Sequence, residues 1–204
     1  MLSYEVETWS KGVKLIAGID EVGRGCLFGD VIAASVVFEP GLQIEGVKDS
    51  KKLTMKQREE LYDIIHEKAL AIGIGRIDAQ LIDQINIKQA SRLAMKQAVE
   101  SMALKPEMLF IDAERIDLPI PQLSLIKGDS LSHSIAAASI VAKVTRDRLC
   151  EEWDTKYPDY GIAQHKGYPT KLHRERIIQH GPSQLHRKTF LNKILQQSLF
   201  DPVE

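Results

Sequence analysis

Four acidic residues follow apolar stretches of the sequence that are typical of β-strands: Asp20, Glu21, Asp112 and Asp129. In open α/β sheets, ligands gather at the carboxyl ends of the strands. Four carboxylates brought together there repel one another unless divalent cations neutralise them. Because the donors are oxygens and no Cys or His lies at zinc spacing, the set favours Mg²⁺ or Mn²⁺. Two such ions about 3.5–4 Å apart are a common device for cleaving a phosphodiester.

Each acid also has an ordinary structural interpretation. Asp129 is a suitable N-cap for a helix beginning at Ser130, and Asp112 is a suitable turn residue. Asp20 and Glu21 suit the start of an exposed loop. The set of four favours a shared metal site more than any single member does, and the spacing leaves both interpretations open.

Gly23-Arg24-Gly25 comes directly after the first two acids. Glycines allow a ligand to approach the backbone closely, and their amides can donate to a sugar hydroxyl or a phosphate. The arginine adds a bidentate phosphate contact. This pattern is neither the dinucleotide fingerprint nor the Walker loop. A tight turn is the alternative interpretation of this pattern. The cationic loop at 49–52 likewise has an ordinary interpretation, which is a solvated turn.

The charge is unevenly distributed although the chain as a whole carries −1. Residues 161–193 hold seven lysines and arginines against one glutamate, together with four of the six histidines. An acidic body with a basic C-terminal segment suggests a polyanionic partner held at one end, although such runs are often only solvated faces. Tyr168, beside Lys166, could stack on a sugar or base or could instead pack in a core.

The alternation of apolar stretches and turns predicts an α/β fold with a mixed five-stranded sheet flanked by helices. The first two strands are expected to form a hairpin. The predicted strands are Val13–Ile19, Val31–Phe38, Ala71–Ile77, Met108–Ile111 and Leu123–Ile126. Helices are predicted after a Thr54 capping box, after Asn86, from Ser130 to about Trp153, over Thr170–His180 and over Gln184–Gln197. Residues 160–169 are predicted as a loop.

Composition excludes several classes of protein. With 204 residues and 44% hydrophobic content, the chain can bury a core without disulfides and is not globally disordered. It has no apolar stretch of membrane-spanning length and no signal-peptide pattern at its start. Cys26 and Cys150 match no metal spacing and are expected to be free thiols, which predicts a cytoplasmic protein.

Several long motifs resemble bacterial type 2 ribonuclease H, the ribonuclease HII family. The similarity runs from about residue 14 to 190, nearly the whole chain. The motifs that carry it are Gly18-Ile19-Asp20-Glu21-Val22-Gly23-Arg24-Gly25, Asp49-Ser50-Lys51-Lys52-Leu53, residues 136–147, Tyr160-Gly161 and Gln164-His165-Lys166-Gly167-Tyr168. Within the motif region the sequence departs from many relatives at Cys26, Leu27, Phe28 and Asp30, which affects the stiffness of the loop but leaves the matched positions in place.

The resemblance implies an RNase H-like fold and gives roles to matched residues. The acids Asp20, Glu21, Asp112 and Asp129 would be catalytic and would hold two Mn²⁺ or Mg²⁺ ions. Gly23, Arg24 and Gly25 would probe the ribose 2′-hydroxyl, the group that distinguishes RNA from DNA. Tyr168 matches the tyrosine that works with that motif at an RNA–DNA junction. The matched lysines Lys52 and Lys166 would also bind substrate.

The function implied is hydrolysis of RNA in RNA–DNA hybrids and cleavage on the 5′ side of ribonucleotides in duplex DNA. The whole chain, 1–204, is then one monomeric unit, with a catalytic core at about 13–155 and a basic helical substrate-binding lobe at about 156–198. Two alternatives stay open. One is another RNase H-like metal-dependent DNA nuclease, and the other is a non-catalytic nucleic-acid-binding module.

Overall fold

A five-stranded mixed sheet forms the centre of the computed structural model, which describes residues 1–200 without the side chains of 193 and 197–200. The strands are β1 (Ile16–Val22), β2 (Val31–Val37), β3 (Ala71–Ile77), β4 (Met108–Asp112) and β5 (Gln122–Leu125). Their order in the sheet is β3-β2-β1-β4-β5. β1 pairs antiparallel with β2 and parallel with β4, and β2 and β3 are also antiparallel. The predicted mixed sheet with one antiparallel region is confirmed.

Helices cover both faces of this sheet and extend beyond it towards the C-terminus. They are α1 (Ser3–Ser10), α2 (Met55–Lys68), α3 (Ala79–Ile85), α4 (Ile87–Glu100), α5 (Gly128–Leu131), α6 (His133–Lys156), α7 (Ile162–His165), α8 (Lys171–His180) and α9 (Lys188–Phe200). In the part of the chain described, no helix has the length and apolar character needed to cross a membrane.

The small residues at the start of α6 allow that helix to lie directly on the sheet. A Cβ added to Gly18 in β1 would stand 2.0 Å from the backbone carbon of Ser134. Three consecutive alanines, 136–138, are fully buried in the cluster between α6, α2 and β2. The close packing expected from the composition of this helix is therefore present, and it fixes β1 firmly against α6.

Two helix N-caps that the sequence predicts are present in the structure. Thr54 forms both hydrogen bonds of a capping box with Gln57 at the start of α2. The Asn86 side chain accepts from the amides of Lys88 and Gln89 and begins α4. These local hydrogen bonds satisfy amides that a helix leaves free at its first turn.

Other boundaries differ from the prediction because tertiary contacts set them. The helix predicted from Ser130 is interrupted: α5 ends at Leu131, and Ser132 caps α6 by accepting from the Ile135 amide. The loop predicted over 160–169 contains the one-turn α7. α3 and α1 were not predicted. α1 is held by its buried Glu5, which accepts from the Ser132 hydroxyl at 2.6 Å.

A separate apolar cluster lies beneath the C-terminal helices and includes Phe28 from the loop after β1. Three buried histidines pack there and are called the histidine cluster: His165, His173 and His186. The rings of His165 and His173 stack at 4.1 Å, and Phe28 meets His186 edge-on at 4.8 Å.

The predicted last helix begins four residues later than expected, and the charge of Lys193 lies outside the described side chains.

Acid is expected to destabilise the protein through the histidine cluster. Burial lowers the pKa of His173 to about 4 and that of His186 to about 3, from the ordinary 6.5, and it also lowers the pKa of His165. Below 6.5 the unfolded chain therefore binds protons that the folded chain excludes, so stability present above this pH is lost as the pH falls towards 4.

The measurement is urea unfolding at constant ionic strength between pH 8 and pH 4.5. The free energy of unfolding should decrease as the pH falls below 6.5. The double variant His173→Gln, His186→Gln should show a smaller decrease over the same range. An equal decrease in both proteins would assign the acid sensitivity to other groups.

Candidate active site

Asp20 and Asp112 lie side by side on neighbouring parallel strands. β1 continues to Val22, three residues beyond the predicted strand end, so Asp20 is part of the strand and not of the loop. Ile19 is in register with Ile111, which places the next residues, Asp20 and Asp112, at equivalent positions. Burial is the main cause of a pKa for Asp20 that lies well above its ordinary value, and the charges of Glu21 and Asp112 add to it.

Glu21 is held beside this pair by an ion pair with the arginine of the Gly-Arg-Gly turn. Its Oε1 lies 3.2 Å from a guanidinium nitrogen of Arg24, which is also 3.6 Å from Glu114. Burial raises the pKa of Glu21, the charge of Arg24 lowers it, and the charge of Asp112 raises it. Sequence patterns did not identify Glu114, which follows β4 by two residues and binds Arg92 at 2.9 Å.

Asp129 joins the group from the first turn of α5. Its neighbour Gly128 donates its amide to Asp112 Oδ1 at 2.7 Å, which ties α5 to the end of β4. Burial raises the pKa of Asp112, the Gly128 amide lowers it, and the charge of Asp129 raises it. Ser132, not Asp129, caps the long helix, so the N-cap interpretation of Asp129 does not describe this structure. The structure thus brings all four predicted acids to one edge of the sheet.

Lys51 places an ammonium among these acids. Its Nζ lies 3.5 Å from Asp129 Oδ2. Burial lowers its pKa, but the charges of Asp129, Asp20 and Asp49 outweigh this and raise it overall. The neighbouring Lys52, the residue predicted to bind substrate, is exposed and lies 3.8 Å from Asp49.

Ser139 is a second residue that sequence patterns missed. Its hydroxyl lies 2.8 Å from that of Ser50, in the short turn that carries Lys51. It also lies close enough to Asp20 to lower the pKa of that carboxyl. One serine of α6 therefore connects the cationic turn to the acid on β1. Its sequence signals were its place in the 136–147 motif and its polar character within the small apolar face of a helix.

The donor chemistry of the four acids fits a hard divalent cation. All the donors are carboxylate oxygens, and Glu21 Oε2 is buried without a hydrogen-bond partner among the described residues. Within residues 1–200, no three His, Cys, Asp or Glu side chains are already grouped as a metal-binding set. Protein contacts orient three of the acids: Arg24 binds Glu21, Lys51 binds Asp129, and the Gly128 amide donates to Asp112.

The two glycines of the Gly-Arg-Gly turn differ in their surroundings. Gly23 has a positive φ of 96°, and a Cβ there would lie 2.4 Å from Nε of Arg146. Gly25 has an ordinary φ, and a Cβ there would meet no atom within 4 Å. The protein fold therefore requires glycine at position 23, whereas the space beside Gly25 is open to a ligand.

Tyr168 lies next to this turn. It lies close enough to Cys26, which follows Gly25, to lower the pKa of that thiol, and the tyrosine remains 40% exposed. Burial raises the pKa of Tyr168. Lys166, by contrast, pairs its ammonium with Glu151 at 3.2 Å, and its side chain is only 17% exposed.

Two buried arginines, which the sequence did not single out, fix the loop that carries these residues. Arg146 donates to the carbonyl oxygens of Phe28, Asp30 and Lys166, at 2.7–3.0 Å. Arg187 donates to the carbonyl oxygens of Arg24 and Gly29 at 3.0 and 2.9 Å. The four residues at which the chain departs from many relatives, 26–28 and 30, are all buried in this contact.

Comparisons with known proteins agree with this geometry. A family model described as ribonuclease HII matches residues 17–193. The chain is 60% identical over 201 residues to a ribonuclease HII of Alkaliphilus metalliredigens, covering 96% of this chain and 98% of the relative.

Two solved structures have a similar fold. The ribonuclease H2 of Pyrococcus horikoshii matches with a TM-score of 0.76 and 27% identity, over 92% of this chain and 100% of that one. Bst-RNase HIII in complex with Mn²⁺ matches with a TM-score of 0.66 and 19% identity, over 93% of this chain and 71% of that one, which supports the fold alone.

The family match, the extent of sequence identity and the shared fold lead to one conclusion. The chain belongs to the ribonuclease HII family and is a type 2 ribonuclease H, a divalent-metal-dependent endonuclease that acts on nucleic acid.

Proposed function

We propose that this enzyme hydrolyses the RNA strand of RNA–DNA hybrids and cuts on the 5′ side of ribonucleotides embedded in duplex DNA. The products carry 3′-hydroxyl and 5′-phosphate ends. The observation that carries the proposal is the proximity of four buried or half-buried carboxylates to a glycine turn with open space and an exposed tyrosine. Removal of ribonucleotides during DNA replication and repair is the corresponding cellular role.

Asp20, Glu21, Asp112 and Asp129 would hold two divalent ions, Mg²⁺ or Mn²⁺. Such ions activate water as the nucleophile and stabilise the leaving oxygen. The acids sit on strand ends and a helix turn fixed by α6, so their relative positions are set before substrate binds. Lys51 balances their charge, and its release from Asp129 would free that carboxylate for a metal.

The Gly-Arg-Gly turn and Tyr168 would recognise the ribonucleotide. Gly25 leaves room for a sugar to approach the backbone, which allows contact with the 2′-hydroxyl. Tyr168, which is 40% exposed next to the turn, would stack on the neighbouring sugar. Arg24, bound to Glu21, connects the recognition turn to the catalytic acids.

The basic C-terminal helices, about 156–198, would bind the duplex backbone next to the catalytic core, about 13–155. Lys171 at the start of α8 has a side chain that is 91% exposed, which suits a phosphate contact. Lys52, in the same turn as Lys51, is likewise exposed. Lys166 would contribute only after separating from Glu151.

We also propose that the enzyme acts as a monomer, since one chain supplies the whole site, and in the cytoplasm, where its two cysteines stay free.

The test uses an end-labelled DNA duplex with one ribonucleotide, an all-DNA duplex and an RNA–DNA hybrid, each with Mg²⁺, Mn²⁺ or EDTA. We expect metal-dependent cleavage 5′ to the ribonucleotide and within the hybrid RNA, with no cleavage of the all-DNA duplex. Cleavage of all-DNA would identify a different RNase H-like nuclease. Binding without cleavage of any substrate would identify a non-catalytic module.

A further inference from the structure

The two segments proposed to read the ribonucleotide come from distant parts of the sequence and touch through their backbones. The Leu27 amide donates to the Gly167 carbonyl at 2.8 Å. The Leu27 carbonyl in turn accepts from the Arg187 amide at 2.9 Å. The turn at 23–25 and the tyrosine loop are therefore both anchored at His186-Arg187, a dipeptide that lies before α9.

Arg187 anchors the first segment. Its side chain is fully buried, and its guanidinium holds the Arg24 carbonyl at 3.0 Å and the Gly29 carbonyl at 2.9 Å. These two carbonyls bracket the loop that begins with the Gly-Arg-Gly turn. A buried cation with such bonds restricts the orientation of the peptide between Arg24 and Gly25.

His186 anchors the second segment through His173. The His186 Nδ1 accepts from the Ser183 amide at 2.9 Å, so its proton is on Nε2. That Nε2 lies 3.2 Å from the His173 Nε2, which must therefore accept. The proton of His173 is then on Nδ1, which donates to the Tyr168 carbonyl at 2.9 Å.

A continuous series of hydrogen bonds thus runs from the Arg24 carbonyl through Arg187, along the backbone to His186, and through His173 to the Tyr168 carbonyl. We propose that His173, His186 and Arg187 are positioning residues that set the separation between the Gly-Arg-Gly turn and Tyr168. They thereby determine how well the enzyme selects a single ribonucleotide followed by DNA. This inference rests on the proposed role of the turn and Tyr168 at an RNA–DNA junction.

Two substitutions at one position separate this role from a general contribution to stability. The side-chain amide of Asn reaches about as far as the Nδ1 of His, whereas that of Gln reaches about as far as Nε2. His173→Asn therefore keeps a donor for the Tyr168 carbonyl, and His173→Gln removes it. Both remove the same buried ring. Arg187→Lys keeps the charge but cannot reproduce the two guanidinium bonds.

The measured quantity is the ratio of kcat/KM for a DNA duplex with one ribonucleotide to kcat/KM for a continuous RNA–DNA hybrid. This ratio does not depend on the fraction of enzyme that is folded. Loss of a single hydrogen bond predicts that His173→Gln and Arg187→Lys each lower the ratio about three- to tenfold. His173→Asn should keep it within about twofold.

His66→Gln is the matched control, because the Nδ1 of His66 also lies 2.8 Å from a backbone carbonyl, that of Tyr62, far from the reading segments. It should leave both rate constants unchanged. Equal losses of selectivity in His173→Asn and His173→Gln would overturn the proposal, since the ring and not the hydrogen bond would then be responsible.

Tyr168→Ala separates failure of this inference from failure of the proposed function. If Tyr168→Ala lowers the ratio while His173→Gln and Arg187→Lys do not, only the positioning role is wrong. If Tyr168→Ala leaves the ratio unchanged, the junction role of Tyr168 is wrong and the inference falls with it.

Discussion

Asp20→Asn is expected to lower kcat for cleavage of a single-ribonucleotide duplex by about 10³-fold or more, because it removes a central charge of the four-carboxylate group. Asn has nearly the same shape as Asp and keeps one oxygen, so the bond from the Glu21 amide has a partner of similar geometry. Single-turnover cleavage at saturating enzyme measures the chemical step directly.

The same substitution should stabilise the enzyme in EDTA at neutral pH. Burial is the largest cause of the raised pKa of Asp20, which means that the folded state disfavours its ionised form. The free-energy cost of holding ionised Asp20 in the folded state grows as the pH rises above the ordinary carboxyl pKa. A neutral Asn has no such cost. We therefore expect a higher Tm for Asp20→Asn in EDTA at pH 7.5, with a difference that shrinks as the pH is lowered.

Glu107→Gln is the control, since Glu107 is an exposed acid whose carboxylate binds the amides of Lys14 and Leu15, before β1 begins. It should retain wild-type kcat. Wild-type kcat in Asp20→Asn would show that the carboxylate group is structural and that the chain's acids do not perform the chemistry.

Gly25→Ala is expected to lower kcat/KM for a ribonucleotide-containing duplex about 10- to 100-fold, since a displacement of about 1 Å in the bound substrate can have an effect of that size. The added methyl group would occupy the open space beside the turn, where a sugar would approach. The fold itself has no clash with that methyl group, so Tm should be close to that of the wild type. Steady-state kinetics and thermal unfolding test the two parts separately.

Gly23→Ala is the matched comparison, because this substitution is expected to change the Tm, which Gly25→Ala should leave close to that of the wild type. Its Cβ would stand 2.4 Å from Arg146, and its positive φ disfavours any residue with a side chain. Gly23→Ala is therefore expected to lower Tm strongly. Full activity in Gly25→Ala would show that substrate does not approach this part of the turn.

Much of the fold follows from local patterns in the sequence. The strand and helix order could be predicted because apolar stretches and capping residues such as Thr54 and Asn86 act over a few residues. The boundaries that were wrong depend on distant contacts. α1 forms where Glu5 meets Ser132, residues more than a hundred positions apart, and no local pattern encodes such a contact.

The sequence by itself determined the family resemblance and singled out the four acids as candidates, because the motifs and apolar stretches that carry them are local. Only the tertiary structure decided that Lys51, and not Lys52, faces the acids, since this depends on how the short turn that carries both lysines packs on α6. It likewise decided that His173 contacts the Tyr168 carbonyl and that Arg187 contacts the Arg24 carbonyl. Burial and hydrogen-bond geometry assign these partners, and both arise only when residues far apart in the chain pack together.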